Sequence, residues 1–255
     1  MTNQTLKTER VGVVSLNVNV CDHDSAIRQI AELVRRGAGG YVCFSTVHMV
    51  MESHDDAEYA KKVNEANLIV PDGMPLVWMQ KLQGAGQAAR VRANDLMIML
   101  CAYAEANDLT VGFYGGKQAV IDAILERAKK DFPNLKIAYA FSPPFRPLTD
   151  AEDEQVTAEI NEKNPDILFM GLGCPKQENW MSAHKNKIRA VMLGVGASFD
   201  FFAGNVRESP EWLGKLGLEW LFRLTQEPRR LWRRYLILNP RFVRLATLQL
   251  LKSQK

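Results

Sequence analysis

Apolar positions fall into short runs that alternate with longer helical patterns from Val11 onward. Six of these runs have the length of buried strands. They span residues 41–45, 67–70, 110–114, 135–140, 166–170 and 189–195. Because strands that alternate with helices usually form a parallel sheet covered by those helices, the pattern predicts an α/β fold with a mainly parallel sheet.

The segments between the runs carry helix-start signals. Asp24 precedes an amphipathic run, and Thr149-Asp150 precedes a segment rich in Glu. Both arrangements are typical of N-caps and acidic first turns. We therefore expect helices on both faces of the sheet, in a Rossmann-like domain that spans residues 1–206.

The composition changes near Gly204, beyond which lie three of the five tryptophans in segments rich in Leu and Arg. Prolines interrupt this tail at Pro210, Pro228 and Pro240. Since proline ends or kinks a helix, the tail should form about three short helices. Each mixes large apolar residues with cations, so we predict an amphipathic helical appendage over residues 207–255.

Charge is distributed unevenly along the chain. The net charge is +3, but residues 207–255 contain eleven Lys/Arg and four Asp/Glu, a net of +7, which leaves −4 for residues 1–206. Such a basic tail is suited to phosphate on nucleic acid, lipid head groups or a nucleotide. Hydrophobic residues make up 47% and charged residues 24%, which excludes a disordered or a membrane-embedded chain.

Cysteine usage and the N-terminus bear on the compartment. The four cysteines are widely spaced and form no C-x-x-C pair, so they indicate neither a disulfide framework nor a zinc site. The N-terminal MTNQTLKTER lacks the apolar stretch of a secretory signal, and no apolar run has the length of a membrane span. The sequence predicts a cytoplasmic protein that meets a membrane only at its surface.

Two glycine pairs end strands, in Gly171-Leu-Gly173 and Gly194-Val-Gly196. They share the opening of the dinucleotide fingerprint but lack its third glycine, so a nicotinamide-dependent oxidoreductase is a weak alternative. Glycines at strand ends more often serve tight turns. In open α/β sheets, however, those same ends face the ligand crevice.

Asp22-His-Asp24 matches the D-x-D pattern by which many sugar transferases hold a metal-bound nucleotide diphosphate. Because Asp24 opens a helix, we favour a capping role for it. The histidines lack H-E-x-x-H spacing, and no G-x-S-x-G elbow occurs. We predict no metal site and no cofactor.

Asp72 directly follows an apolar strand, within the rigid turn Val70-Pro71-Asp72-Gly73. A carboxylate held there is well placed to act as a general base, although it could equally cap the helix that begins near Met74. Thr46 and His48 follow another strand and should open onto the same sheet edge, with a cap again the alternative for Thr46.

Two strand-to-helix turns are candidate anion sites. Cys174-Pro-Lys-Gln-Glu178 places free backbone N–H groups and Lys176 at a helix start, and Gln177 adds an amide suited to sugar hydroxyls. Gly115-Gly116-Lys117 has the same form. An ordinary surface helix start explains Lys176 and Glu178 equally well.

These pieces occur in an order that resembles the WecG/TagA/CpsF glycosyltransferase family. The motifs are S-T-V-H-M, V-P-D-G-M-P, R-V-R-A-N-D-L, F-Y-G-G-K, F-S-P-P-F, G-L-G-C-P-K-Q-E, G-V-G-A-S-F-D-F and the tail L-G-L-E-W-L-F-R-L-x-x-E-P-R-R-L-W-R-R-Y. They run from about Val11 to Arg244. One departure is Ala93, where the family usually carries Gly.

The resemblance implies an inverting, metal-independent transferase. It would move an N-acetylmannosamine-type sugar from a UDP-sugar donor to a lipid diphosphate-linked sugar acceptor, for cell-surface polysaccharide synthesis. Residues 1–206 would be the catalytic domain, and residues 207–255 would associate with the anionic inner face of the cell membrane. The oligomeric state stays open, a homo-oligomer included.

The resemblance also assigns residues to roles. It implies a base at Asp72, a sugar pocket at Thr46, His48 and Gln177, substrate contacts at Arg90 and in the Gly115 turn, and diphosphate-binding guanidinium groups at Arg223, Arg230 and Arg233. Phe141, before Ser-Pro-Pro, is a candidate for stacking on uracil, with a core phenylalanine as the alternative. His48 stands where better-known relatives carry Asn.

A non-catalytic alternative is an α/β protein whose basic tail binds nucleic acid through phosphate contacts and stacked tryptophans. No signature of a nucleic-acid-binding module occurs, and the arginines alternate with Leu and Trp as in membrane-surface helices. We therefore expect no nucleic-acid partner.

Overall fold

The computed structural model describes residues 9–253. An N-terminal antiparallel hairpin joins β1 (Arg10–Val13) to β2 (Leu16–Asn19). Six further strands form one sheet: β3 (Gly40–Ser45), β4 (Leu68–Pro71), β5 (Thr110–Gly115), β6 (Lys136–Phe141), β7 (Ile167–Gly171) and β8 (Val191–Gly194). Their order is β4-β3-β8-β7-β5-β6, and every neighbouring pair is parallel. The α/β prediction and all six predicted strands are confirmed.

Helices cover both faces of this sheet. They are α1 (His23–Arg36), α2 (Val47–Asp55), α3 (Ala57–Asn64), α4 (Met74–Leu82), α5 (Ala93–Ala106), α6 (Gln118–Asp131), α7 (Asp150–Lys163), α8 (Lys176–His184) and α9 (Ser198–Phe202). The C-terminal segment adds α10 (Glu211–Lys215), α11 (Glu219–Gln226), α12 (Pro228–Arg233), a π-helical stretch (Arg234–Leu238) and α13 (Asn239–Ser253).

Alternate side chains of each strand enter two separate cores, one on each face. Tyr41 and Cys43 of β3 point to the core formed with the hairpin, α2, α3, α7, α8 and α13. Val42 and Phe44 point to the core formed with α1, α5, α6 and α9. Because both faces are buried, the strands are apolar at nearly every position rather than at every second one.

Helix caps correct one prediction and confirm another. The Asp22 carboxylate, not that of Asp24, caps α1, since it accepts a hydrogen bond of 2.8 Å from the Ser25 amide while Asp24 lies in the first turn. Thr149 caps α7 as expected, in a reciprocal capping box with Glu152. Each cap satisfies amide groups that the first helical turn leaves unpaired.

The sheet reverses its winding direction between β5 and β7. Helix α6, which follows β5, packs on one face, whereas α8, which follows β7, packs on the other. The two strand ends lie very close together, and a Cβ added at Gly115 would come within 2.6 Å of the Gly171 backbone. In open α/β folds, ligands bind beside the carboxyl ends of strands at such a reversal.

The C-terminal segment differs from its prediction at one proline. Helix breaks do fall near Pro210 and Pro228, but Pro240 lies in the first turn of α13 and does not interrupt the helical path. The π-helical stretch just before it changes the hydrogen-bonding register, which accommodates a residue that has no backbone N–H to donate.

Helix α13 is anchored to the rest of the fold. Phe242 and Ala246 are buried in the hairpin-side core. The Gln249 amide donates to the Gly12 carbonyl and accepts from the Val14 amide, at 2.7 and 2.8 Å. These contacts fasten the helix across the N-terminal hairpin.

Two further sequence expectations concern cysteines and membrane spans. All four cysteines are free. Within the described residues, no helix combines the length and the apolar character that crossing a membrane requires.

Candidate active site

A cleft of about 1720 Å³ opens along the carboxyl ends of the parallel strands. Loops after β3, β4, β5, β7 and β8 form its floor, and helices α11, α12 and the π-helical stretch form its roof. Seven predicted site residues line it: Thr46, His48, Asp72, Gln177, Arg223, Arg230 and Arg233. The fold thus brings residues from both ends of the chain to one site.

Asp72 lies where β4 ends, and its amide donates to the Ser45 carbonyl at 3.0 Å. The capping alternative for this residue is wrong, because Gly73 occupies the N-cap of α4 and no side chain caps that helix. The carboxylate therefore does not cap a helix, and 21% of the side chain is exposed in the cleft. Burial raises the pKa of Asp72 above its ordinary value, so the carboxyl becomes a stronger base.

Arg90 lies beside Asp72 rather than among the residues that line the cleft. Its Nε donates to the Asp72 carbonyl at 2.6 Å, and its Nη2 donates to Glu219 Oε2 at 2.7 Å. Ala93, the departure from the family pattern, is the first residue of α5 and has no positive φ, so alanine fits there without strain.

Thr46 caps α2, with a long 3.5 Å hydrogen bond from the Met49 amide. The same hydroxyl accepts from Arg234 Nη2 at 3.2 Å, so capping and a place in the cleft coexist. The residue joins the start of α2 to a guanidinium group of the C-terminal segment.

His48 is a neutral cleft residue. Burial, with the nearby Arg234 cation, lowers its pKa from 6.5 to about 4. Its Nε2 lies 3.3 Å from Glu52, while its buried Nδ1 has no hydrogen-bond partner within residues 9–253. Because native structures rarely leave a buried polar atom unpaired, this nitrogen is suited to a ligand group.

Gln177 is almost fully buried at the cleft floor, and its amide joins two strand ends. It accepts from the Gly173 amide at 3.0 Å and donates to the Gly194 carbonyl and to Glu178 Oε1, both at 2.7 Å. In this state its hydrogen bonds serve the protein rather than sugar hydroxyls.

Glu178 is not a surface residue of a helix start, as one alternative held. It is fully buried and accepts hydrogen bonds from Gln177 and from Tyr59 at 3.0 Å. Burial raises its pKa. The carboxyl group thereby fixes the orientation of the Gln177 amide.

Phe141 packs behind Tyr114, with ring centroids 6.2 Å apart, and does not line the cleft. The aromatic group at this wall is Trp180, which lies 5.1 Å from Tyr114 and donates to Asp153 Oδ1 at 2.8 Å. The core alternative for Phe141 therefore describes its position. Gly115 likewise lies behind the cleft, while Gly116 and Lys117 line it.

Arginines of the C-terminal segment line the roof. Arg223 packs its guanidinium over the Phe201 ring at 5.2 Å, and its buried Nε has no hydrogen-bond partner in the described residues. Arg230 is more exposed and pairs with Glu227. Although Pro228 breaks the helix between them, both side chains still reach the cleft, together with Arg233.

Cations from the sheet side face this roof. Lys117 and Lys176 line the cleft after β5 and β7, and neither pairs with a carboxylate among residues 9–253. The Lys176 ammonium lies 5.4 Å from the Phe145 ring centroid. Together with the arginines, these groups can surround a polyanion such as a diphosphate.

Sequence reasoning missed further cleft residues, of which three lie within or beside the quoted motifs. Arg234 follows the expected Arg233, and Asn94, whose buried Oδ1 is unpaired, stands within the quoted R-A-N-D motif. Glu219 stands in the quoted L-G-L-E-W motif. The motifs contained each signal, but only the fold shows which of their side chains enter the cleft.

The described part of the chain contains no group of three His, Cys, Asp or Glu side chains that could hold an ion. The Asp22 carboxylate is used as a helix cap, away from the residues that line the cleft.

A cleft at the switch point that holds a carboxylate and several guanidinium groups is compatible with an enzyme of the group-transfer class. The sequence comparisons agree with this class. The model of the Glycosyl transferase WecG/TagA/CpsF family matches residues 11–255, and the chain belongs to that family.

Three similar proteins share one named activity. An N-acetylglucosaminyldiphosphoundecaprenol N-acetyl-beta-D-mannosaminyltransferase of Bacillus spizizenii is 32% identical over 206 residues, 80% of this chain and 77% of that protein. The enzyme of the same name from Bacillus subtilis strain 168 is 33% identical over 202 residues, covering 78% and 74%. One from Staphylococcus aureus strain MW2 is 32% identical over 176 residues, covering 69% and 67%.

Proposed function

We propose that this chain transfers an N-acetylmannosamine-type sugar from a UDP-sugar to a lipid diphosphate-linked N-acetylglucosamine, in cell-surface polysaccharide synthesis. The names of the similar enzymes support this sugar and this acceptor. Family membership favours transfer over the nucleic-acid-binding alternative.

Asp72 is the proposed base. The acceptor hydroxyl oxygen attacks the anomeric carbon, the bond from that carbon to the diphosphate oxygen breaks, and UDP leaves with the electron pair. The hydroxyl proton passes to the Asp72 carboxylate, whose partial exposure in the cleft and raised pKa suit that role. One such displacement inverts the anomeric configuration.

The departing diphosphate needs positive charge. Arg223, Arg230 and Arg233 of the roof are proposed to supply it, with Arg234 beside them. Guanidinium groups stay charged and bind phosphate oxygens in bidentate fashion, so they can replace a metal ion in this task. Residues 1–206 would then contribute the base and residues 207–255 the electrophilic groups.

The C-terminal segment is also proposed to hold the enzyme on the inner face of the cell membrane. It carries a net charge of +7 and nine of the thirteen exposed large apolar side chains in the described residues. Cations attract anionic lipids, and Trp and Leu side chains insert at the head-group boundary. This places the cleft beside a lipid-linked acceptor.

The observation that carries the proposal is the meeting of Asp72 with the C-terminal arginines in one cleft. The test incubates the purified chain, in buffer with EDTA, with separate UDP-sugars and a short-chain lipid diphosphate-N-acetylglucosamine. We expect UDP-N-acetylmannosamine, or a close relative, to be consumed with formation of a disaccharide-lipid. Consumption of no UDP-sugar, or activity only after manganese is added, would contradict it.

A further inference from the structure

Three charged side chains meet where β4 ends. Arg90 Nη2 lies 2.7 Å from Glu219 Oε2 but 3.9 Å from Asp72 Oδ1. All three side chains are more than three-quarters buried. The Arg90 Nε donates to the Asp72 backbone carbonyl at 2.6 Å, whereas its Nη2 pairs with the Glu219 carboxylate. Its contact with the Asp72 carboxylate, which would act as base, is therefore weak.

These groups come from different parts of the chain. Asp72 and Arg90 belong to loops of residues 1–206, which we call the body. Glu219 is the first residue of α11 in the C-terminal segment. Glu219 also lies 3.5 Å from Arg92 Nε, so it contacts two body arginines at once. Docking of α11 is what brings its carboxylate to Arg90.

Charged side chains from three parts of the fold act on the Asp72 carboxylate. Arg90 and Arg92 approach from the loop before α5, Glu219 and Arg223 from α11, and Arg234 from the π-helical stretch. Burial contributes most to raising the pKa of Asp72; the Arg90 cation opposes the rise and the Glu219 carboxylate adds to it. Were Glu219 absent, Arg90 could turn fully to Asp72 and weaken it as a base.

We propose that Glu219 is a positioning residue that withholds Arg90 from Asp72, so that Asp72 becomes an effective base only when α11 is docked over the cleft. This inference rests on the proposed function, in which Asp72 accepts the acceptor proton. Under this proposal, Asp72 becomes an effective base when the C-terminal segment closes over the cleft.

The test is the pH dependence of kcat with saturating UDP-N-acetylmannosamine and a short-chain lipid diphosphate-N-acetylglucosamine, using the full chain. The base must be ionised, so the rate falls as pH drops through its pKa in the complex. Glu219→Gln should move this acid limb to lower pH by about one unit and reduce the plateau rate several-fold. An unmoved limb would overturn the inference, whatever the loss of rate.

Glu208→Gln is the matched control. Glu208 also comes from the C-terminal segment and pairs with Arg92 at 3.2 Å, but it contacts neither Arg90 nor Asp72. The acid limb of the kcat profile of Glu208→Gln should stay at the wild-type pH. A limb that moves equally in both carboxamide variants would assign the effect to general loosening of the segment and overturn the proposal.

Arg90→Gln gives a second test of opposite sign, which serves if Glu219→Gln fails to fold. Without the guanidinium, Glu219 faces Asp72 unscreened, so the acid limb should move to higher pH. A limb that stays in place or moves lower would overturn the inference. If Asp72→Asn is inactive while these limbs do not move, only this inference fails; wild-type transfer by Asp72→Asn would overturn it and the proposed function together.

Discussion

His48 illustrates how burial decides what a single cleft residue can do. With a pKa lowered to about 4, its imidazole is neutral at physiological pH and can donate or accept a hydrogen bond, but it supplies no charge. Its unpaired Nδ1 lies in the same cleft as Asp72. The residue is thus a neutral hydrogen-bonding group of the cleft.

This burial predicts an acid-sensitive contribution to stability. The unfolded chain gains a proton at His48 near pH 6.5 and the folded chain only near pH 4, so the free energy of unfolding should fall as pH drops through that window. The size is on the order of 2–3 kcal/mol. Denaturant unfolding between pH 7 and 4 should show a shallower decline in His48→Asn, and identical slopes would contradict the assigned burial.

Individual site residues were predictable from sequence to unequal degrees. Asp72 and Thr46 could be placed because they directly follow buried strands, and parallel strand ends share one edge. The burial of Glu178 could not, because its partner Tyr59 lies 119 residues away in the chain. The position of Phe141 was not predictable for a similar reason. Strand alternation does not reveal that Phe141 packs on Tyr114, which in turn packs on Trp180 at the cleft wall.

At the scale of elements, the roof of the cleft is built from α11 and α12 although a proline separates them. Arg223 and Arg230 reach the cleft from two different helices, whereas the neighbouring Arg229 does not line it. The arrangement predicts that position on the helix, rather than positive charge alone, determines which arginine matters.

Replacing Arg223 and Arg230 together by Gln should reduce kcat by about two or more orders of magnitude, because each lost guanidinium removes charge stabilisation of the departing diphosphate. Binding to anionic vesicles should change little. Arg229→Gln, which removes one charge from α12 outside the cleft lining, should keep nearly full turnover. A loss of turnover in Arg229→Gln of about half that of the double variant, on a logarithmic scale, would show that the segment acts only through its total charge.

Helix α13 should contribute to the stability of the whole fold. Phe242 is 3% exposed against the hairpin core, whereas its neighbour Val243 is 60% exposed. Phe242→Ala should lower the free energy of unfolding by about 3 kcal/mol or more, and Val243→Ala should leave it nearly unchanged. Chemical denaturation of both variants measures this, and equal small losses would mean that α13 is not anchored as described.

The elements themselves were largely predictable, because buried parallel strands stand out as apolar runs and some helices, such as α1 and α7, begin at capping side chains. The strand β3, for example, matches its predicted range to within one residue. The break predicted at Pro240 was wrong, because a proline interrupts a helix only where the missing backbone hydrogen bond cannot be accommodated. Here the π-helical stretch before Pro240 accommodates it. Such local changes in register depend on tertiary packing and leave no pattern in the sequence.

At the scale of the molecule, the acidic residues 1–206 carry the proposed base, and the basic C-terminal segment carries the arginines of the cleft roof and most of the exposed large apolar side chains. Leu236 and Leu251 of that segment are each more than half exposed, as is Leu82 on the body. If the segment meets the bilayer, only the first two should matter for vesicle binding.

Sedimentation with vesicles that contain anionic phospholipid tests this surface. Replacing Leu236 and Leu251 by Ala should weaken binding by at least about tenfold, because apolar carbons no longer enter the head-group boundary. Leu82→Ala should bind vesicles like the wild type. Added salt should weaken vesicle binding by the wild type and by both variants. Equal weakening by Leu82→Ala would place the membrane contact elsewhere.

The most direct test of the account is the turnover of Asp72→Asn measured beside its affinity for UDP. We expect kcat to fall by about 10² to 10⁴ while UDP binds nearly as in the wild type, because loss of a base affects the transition state more than nucleotide contacts. Asp200→Asn, which removes another cleft carboxylate, should retain most turnover. Unchanged kcat in Asp72→Asn, with only donor affinity reduced, would contradict the assignment of Asp72 as the base.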